Sequence, residues 1–133
     1  MRAVKSKVTK GLPIGAFVDV VDNSGARIIQ IVSVRGYKTR TRTLAAAGVG
    51  DLVTATVTAG KPDMKGQVFD AVVIRQKKPY RRKTGERVCF EDNAVTLLKD
   101  DKGNPKGTQI KGPVAREVQE RWPSVAKIAQ FVL

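Results

Sequence analysis

The chain contains no histidine and one cysteine, Cys89. Without histidine there is no Ser-His-Asp triad, no Cys-His nucleophile and no histidine-based metal site. A lone cysteine builds neither an internal disulfide nor a structural zinc site, and it suits a reducing compartment. We read Cys89 as a small buried filler. Aromatic residues make up 5% of the chain, so the core must come from Val, Ile, Leu and Ala. No apolar run approaches the length of a membrane span. The N-terminal MRAVKSKVTK is basic but lacks the apolar stretch of a secretory signal. Carboxylates are few, and mostly scattered or flanked by Lys and Arg. These absences lead us to expect no enzyme, no metal, no resident cofactor and no membrane association, in a cytoplasmic protein.

What is abundant is positive charge. Twenty-five Lys and Arg against 12 Asp and Glu give a formal net charge of +13 on 133 residues. Such an imbalance repels itself in the compact state and is relieved by a polyanion that binds the folded form. Hydrophobic content of 41% argues against a disordered tail. The length suits one core, and we expect a single domain over 1–133. Within it we expect a lead-in over 1–15, a β-barrel with basic hairpins over 16–110, and a C-terminal helical lobe over 111–133.

Short strands separated by turns fill most of the chain. AFVDVVDN (16–23) and RIIQIVSV (27–34) flank DNSGAR (22–27), whose Asn and Gly suit a tight hairpin. LVTATVTAG (52–60) alternates apolar and polar residues as a half-buried strand does. VFDAVVIR (68–75) reads as a central strand, RVCF (87–90) as a short return, and EDNAVTLLK (91–99) as one more strand. AAAGVGD (45–51) lacks the following Lys-Ser/Thr of a phosphate loop and reads as a turn. Near the end, Gly112-Pro113 precedes VAREVQER, and proline suits a first helical position. Val114, Val118 and Trp122 are spaced by four and share a face. Pro123 stops that helix, and Ser124 caps a second containing Val125, Ile128, Ala129 and Val132. No helix alternates with the strands, which favours a small mainly β barrel or sandwich over an α/β fold.

The positive charge is concentrated. RQKKPYRRK (75–83) holds six basic residues in nine and no acid. Its Arg75, Lys77, Lys78, Arg81, Arg82 and Lys83 are candidates for phosphate contact, since a solvated face normally mixes signs. Tyr80 among them either stacks on an unpaired base or packs over the hairpin. RGYKTRTR (35–42) repeats the pattern with Arg35, Tyr37, Lys38, Arg40 and Arg42, on an extended loop or ribbon tip. Arg27 follows the tight turn. Lys106 and Lys111, with Lys102, lie in a glycine-rich stretch that permits close approach to RNA. The helix opened at Gly112-Pro113 either receives a phosphate on its amides or simply starts there. Trp122 is the candidate for a protein partner, because lone tryptophans often anchor interfaces.

DNSGAR, AVVIRQKKPYRRKTGERVCFEDNAV and KGTQIKGPVARE, in that order, together resemble the large-subunit ribosomal protein L-fourteen family. RQKKP, RVCFEDN and the late WPSVA resemble its archaeal and eukaryotic branch. The similarity covers about residues 11–133. It departs from the family pattern at Thr84-Gly85, where Asp-Gly or Asn-Gly is usual, and at Thr96, where an apolar residue is expected. The resemblance implies a five-stranded OB-like barrel with a projecting β-ribbon and two short C-terminal helices. It implies binding to large-subunit ribosomal RNA and a seat at the intersubunit face, with small-subunit RNA met through a bridge. It implies neighbours of the L-three and L-twenty-four types and a nearby subunit anti-association factor. Magnesium is expected as a structural ion of the RNA rather than a cofactor of the protein.

The function expected is therefore that of a structural, RNA-binding constituent of the large ribosomal subunit. The alternative is a free-standing single-strand-binding OB module, which works through aromatic platforms. With Phe17, Phe69, Phe90 and Phe131 in apolar settings, that reading rests on Tyr37 and Tyr80.

Overall fold

A computed structural model describes residues 8–36 and 44–133 of the chain. The elements run β1 (Leu12–Pro13), β2 (Phe17–Val20), β3 (Ala26–Val34), β4 (Ala46–Ala47), β5 (Leu52–Gly60) and β6 (Val68–Arg75). Then come β7 (Tyr80–Arg81), β8 (Arg87–Val88), β9 (Ala94–Leu98), β10 (Ile110–Val114), α1 (Arg116–Arg121), α2 (Pro123–Ala126) and β11 (Ala129–Val132). The ribbon tip expected around Tyr37, Lys38, Arg40 and Arg42 lies outside the described residues.

Strands β2, β3, β5, β6 and β9 close a barrel in chain order. Neighbours are antiparallel except at the seam, where β9 meets β2 in parallel, Asp19 opposite Ala94. The expectation of a small closed five-stranded barrel holds. Its order is a plain meander, whereas an OB barrel is a Greek key. The hairpin of β2 and β3 and the strands β5 and β6 form where alternation and β-branched residues place them. In β5, Val53, Ala55 and Val57 point into the barrel while Thr54, Thr56 and Thr58 stay half-exposed.

Two apolar cores share one wall. Val18, Ile29, Ile31, Val53, Val57, Ala71, Val73, Val95 and Leu97 fill the barrel. Outside it, Val72, Ile74, Ala94 and Leu98 face a second core with Ile110, Val114, Val118, Trp122 and Val125. Strands β6 and β9 are therefore buried on both faces. A fully buried Val, Leu or Ile side chain contributes about 1.5–3 kcal/mol, so these two strands dominate the packing.

Thr96 belongs to this wall. It sits opposite Val72, between the barrel-facing Val95 and Leu97, and is fully buried. Its hydroxyl donates to Asp22 Oδ2 at 3.0 Å, and the Leu97 amide donates to the same oxygen at 3.0 Å. The departure from an apolar residue is thus matched by a buried carboxylate, and the register is fixed.

The C-terminal region differs from the sequence expectation. Gly112-Pro113 does not open a helix; both lie within β10, and the helix starts at Arg116. The second helix is one turn, 123–126, after which 129–132 forms β11, parallel to β10. Val125, Ile128, Ala129 and Val132 have helical spacing, but β-branched residues also suit a strand. The unpaired edge of β10 decided between them, with the Leu133 amide donating to Val114 O at 2.9 Å. The shared face of Val114, Val118 and Trp122 does exist, and all three are buried.

Candidate nucleic-acid interface

The segment that follows β6 divides its side chains between inside and outside. Arg75 is 6% exposed and does not face solvent. Its Nε and Nη2 donate to Asp92 at 3.0 and 3.1 Å, and its Nη1 donates to the carbonyls of Lys111 at 2.9 Å and Pro113 at 3.0 Å. Gly112, between those carbonyls, has φ of +79°, and a Cβ there would collide with the guanidinium. That close approach is why Gly112 is needed.

Gln76 is fully buried. Its Nε2 donates to the carbonyls of Thr9 at 2.7 Å and Lys78 at 2.9 Å, and its Oε1 accepts from the Val49 amide at 3.0 Å. The neighbouring Gly48 amide donates to Asp51 Oδ2 at 2.8 Å. The 48–51 turn therefore spends these two amides on protein oxygens, not on a phosphate.

Tyr80 is 1% exposed, and its hydroxyl donates to Glu117 Oε2 at 2.9 Å. Arg82 is 9% exposed; its Nε donates to Glu117 Oε1 at 2.9 Å and its Nη2 to Leu133 O at 2.5 Å. Burial, and then the facing Glu117 carboxylate, push the Tyr80 hydroxyl well above its ordinary range. Burial opposes the charge on Arg82, but Tyr80 and Glu117 outweigh it and raise its pKa. At neutral pH the network is a neutral phenol and a buried ion pair.

The expectation that Arg75, Tyr80 and Arg82 meet RNA is thereby corrected. All three are buried, with Arg75, the Tyr80 hydroxyl and Nε and Nη2 of Arg82 bonded to protein oxygens, so both guanidiniums are turned away from phosphate and Tyr80 has no open face for stacking. Lys77, Lys78, Arg81 and Lys83 point outward, joined by Arg87 from β8, and no carboxylate pairs with them among the described residues. Lys111 is also exposed and is held beside this group by the Arg75 bond to its carbonyl. The Thr84-Gly85 departure is accommodated. The Gly85 amide donates to Arg82 O at 2.9 Å, and the Arg82 amide donates to Glu86 O at 2.8 Å.

The opposite end of β6 carries a second, looser group. Exposed Arg27 is the second residue of β3, beside the 61–66 turn that bears Lys61 and Lys65. Lys106 lies 5.0 Å over the Phe69 ring. Asn23 ties its loop to the β2–β3 turn, accepting from the Thr108 amide at 2.7 Å and donating to the Thr108 hydroxyl at 2.7 Å. Lys61 and Lys65 escaped the sequence reading because Asp63 between them dilutes the charge. Arg87 escaped it because Thr84, Gly85 and Glu86 separate it from the basic run that ends at Lys83. Arg35 is exposed and reaches Asp70 at 3.3 Å.

Other expectations also change. Trp122 is 2% exposed and donates from Nε1 to the Gly50 carbonyl at 2.7 Å, so it anchors the chain to itself rather than to a partner. Cys89 is exposed, not buried, because β8 lies on the outer ribbon. Phe17 and Phe131 are exposed rather than set among apolar neighbours, since each falls on the outer side of its strand. Among the described residues no cluster of three or more Cys, Asp or Glu has metal-binding geometry. No described helix is long and apolar enough to cross a membrane.

Residues 11–133 match the family described as Ribosomal protein L14p/L23e. The chain belongs to this family. Members of the L14p/L23e family are structural, non-enzymatic ribosomal proteins, and the ribosome places this chain in the cytoplasm. The chain is 55% identical over 133 residues, all of both chains, to the large ribosomal subunit protein uL14 of Nanoarchaeum equitans. It is 48% identical, again over the whole of both chains, to the protein of the same name from two strains of Halobacterium salinarum. These relatives are archaeal, in keeping with the branch that RQKKP and RVCFEDN resemble.

Proposed function

We propose that this L14p/L23e-family chain is a structural constituent of the large ribosomal subunit that grips ribosomal RNA with the outward cations of the 77–87 ribbon. The supporting observation is the division of the basic segment. Arg75 and Arg82 are buried and each is paired with a carboxylate of the protein, whereas Lys77, Lys78, Arg81, Lys83 and Arg87 have none among the described residues. Unpaired cations on one ribbon neutralise phosphates by releasing counterions, which needs no base reading. Arg81 and Arg87, directly opposite each other across β7 and β8, present two forks to adjacent phosphates. Lys111, Arg27 and Lys106 extend the grip, and Arg35 leads toward Tyr37, Lys38, Arg40 and Arg42.

The fuller assignment is a seat at the intersubunit face, with small-subunit RNA reached through a bridge. The protein neighbours would be of the L-three and L-twenty-four types, and a subunit anti-association factor would dock nearby. Magnesium would enter as part of the RNA. The single-strand module loses support with Tyr80 buried and the barrel wound as a meander.

The test is binding of the purified chain to a large-subunit RNA fragment across a salt series. Engagement of about eight phosphates gives a log-log slope of roughly −6 to −7. Changing Lys77, Lys78, Arg81 and Lys83 to Gln should flatten that slope by roughly 3. An unchanged slope would refute the assignment of these residues.

A further inference from the structure

The ribbon that carries these cations is too small to hold its own direction. Strands β7 and β8 have two residues each and pair only as Tyr80 with Val88 and Arg81 with Arg87. An isolated two-stranded hairpin is at best marginal in water. Something outside it must fix where Arg81, Lys83 and Arg87 point.

Glu117 on α1 does this. Its two carboxylate oxygens take two residues of the ribbon, Tyr80 on Oε2 and Arg82 on Oε1, both at 2.9 Å. Residues 80 and 82 lie on one face of an extended segment, so seizing them forces 81 and 83 to the other. Arg82 continues to Leu133 O, which also accepts the Arg116 amide at 3.0 Å. The ribbon is thereby tied at its tip side both to α1 and to Leu133, just past β11. Gln76 holds its base.

We propose that the Tyr80–Glu117–Arg82 clasp is a positioning device, through which the C-terminal lobe sets how many RNA phosphates the outward ribbon cations reach at once. This rests on the RNA-binding reading above. Tyr80, Arg82 and Glu117 touch no RNA; they act through Arg81, Lys83 and Arg87. A buried ion pair is a poor device for stability, since apolar residues of similar volume often replace one at no loss. What it supplies, and an apolar patch does not, is direction: the carboxylate admits its two donors in one arrangement.

That contrast gives the experiment. The triple variant Tyr80→Phe, Arg82→Met, Glu117→Met removes all three polar groups of the clasp together, and Leu133 O keeps the Arg116 amide. It should melt close to the parent. On folded large-subunit RNA its salt slope should be flatter by about 2, as two or three cations fall out of register. On flexible poly(U), which adapts to any cation spacing, its affinity should stay within about 2-fold of the parent. Equal losses on both RNAs, or an unchanged slope on folded RNA, would overturn the proposal.

If the triple variant fails to fold, the single variant Tyr80→Phe decides. It keeps the ion pair and removes one tether, so a slope flatter than the parent on folded RNA supports the device, and an unchanged one refutes it. Arg81→Gln with Lys83→Gln is run alongside. If that pair leaves the slope unchanged, the RNA-binding reading itself fails. If it flattens the slope while the clasp variants do not, only the positioning claim fails.

Discussion

Replacing Asp22 tests how the barrel wall tolerates its polar residue. Asp22 is 7% exposed and accepts four donors. Oδ1 takes the Ser24 amide at 3.1 Å and the Ser24 hydroxyl at 2.5 Å, and Oδ2 takes the Thr96 hydroxyl and the Leu97 amide. In Asp22→Ala, the Thr96 hydroxyl and Leu97 amide are stranded in the wall, at about 1–3 kcal/mol each. The Ser24 groups turn to water at little cost. The expected loss is therefore about 3–5 kcal/mol, a large part of the ~5–15 kcal/mol that holds a domain together. Asp22→Asn keeps one oxygen for the inner pair and gives up the Ser24 amide and the charge, for about 2 kcal/mol. Thr96→Val removes a donor without stranding anything and should cost under about 1 kcal/mol. Once Asp22 is Ala, the same Thr96→Val change becomes stabilising by about 1–2 kcal/mol, because it deletes an orphan hydroxyl. Urea unfolding followed by the fluorescence of buried Trp122 measures all four variants. The reasoning fails if Asp22→Ala costs under about 1 kcal/mol, or if Thr96→Val has the same sign in both backgrounds.

Two further outcomes follow from local geometry. Gly112→Ala should destabilise by about 2–4 kcal/mol, because a Cβ at positive φ meets the guanidinium of buried Arg75 and pushes that cation off its partners; an unchanged urea midpoint would contradict it. The Asp100 carboxyl is held below its ordinary value of 3.8, chiefly by the Asn104 side-chain amide and then by the Lys102 amide. A lowered folded pKa contributes stability that is present above the ordinary value and lost as pH falls through the lowered one. In Asn104→Ala the Asp100 resonance should titrate closer to 3.8, and an NMR titration that shows no upward movement would refute the assignment.

Much of the barrel was legible because its signals are local. Strands β5 and β6 match LVTATVTAG and VFDAVVIR end to end, since alternation and β-branching are properties of the segment itself. The basic run was visible for the same reason, but its division was not. Whether Arg82 faces inward depends on Glu117 and Leu133, 35 and 51 residues away, and no period within RQKKPYRRK announces them. Strand-like alternation gave one usable signal: 80 and 82 share a face that 81 and 83 do not. The last segment misled because its spacing fits a helix, while the decisive partner, the open edge of β10, lies some twenty residues earlier. For Trp122 and Cys89 residue type alone is a poor guide, because the exposure of each is set by the element it lands on.

The shared wall has a consequence for synthesis. Val72, Ile74 and Leu98 leave the ribosome before most of the residues that cover them, which run from Ile110 to Val125. A nascent chain stopped at Leu98 has every barrel strand, yet it carries a bare apolar flank. Until the final stretch emerges, that flank is open to holding chaperones and to clumping with other unfinished copies.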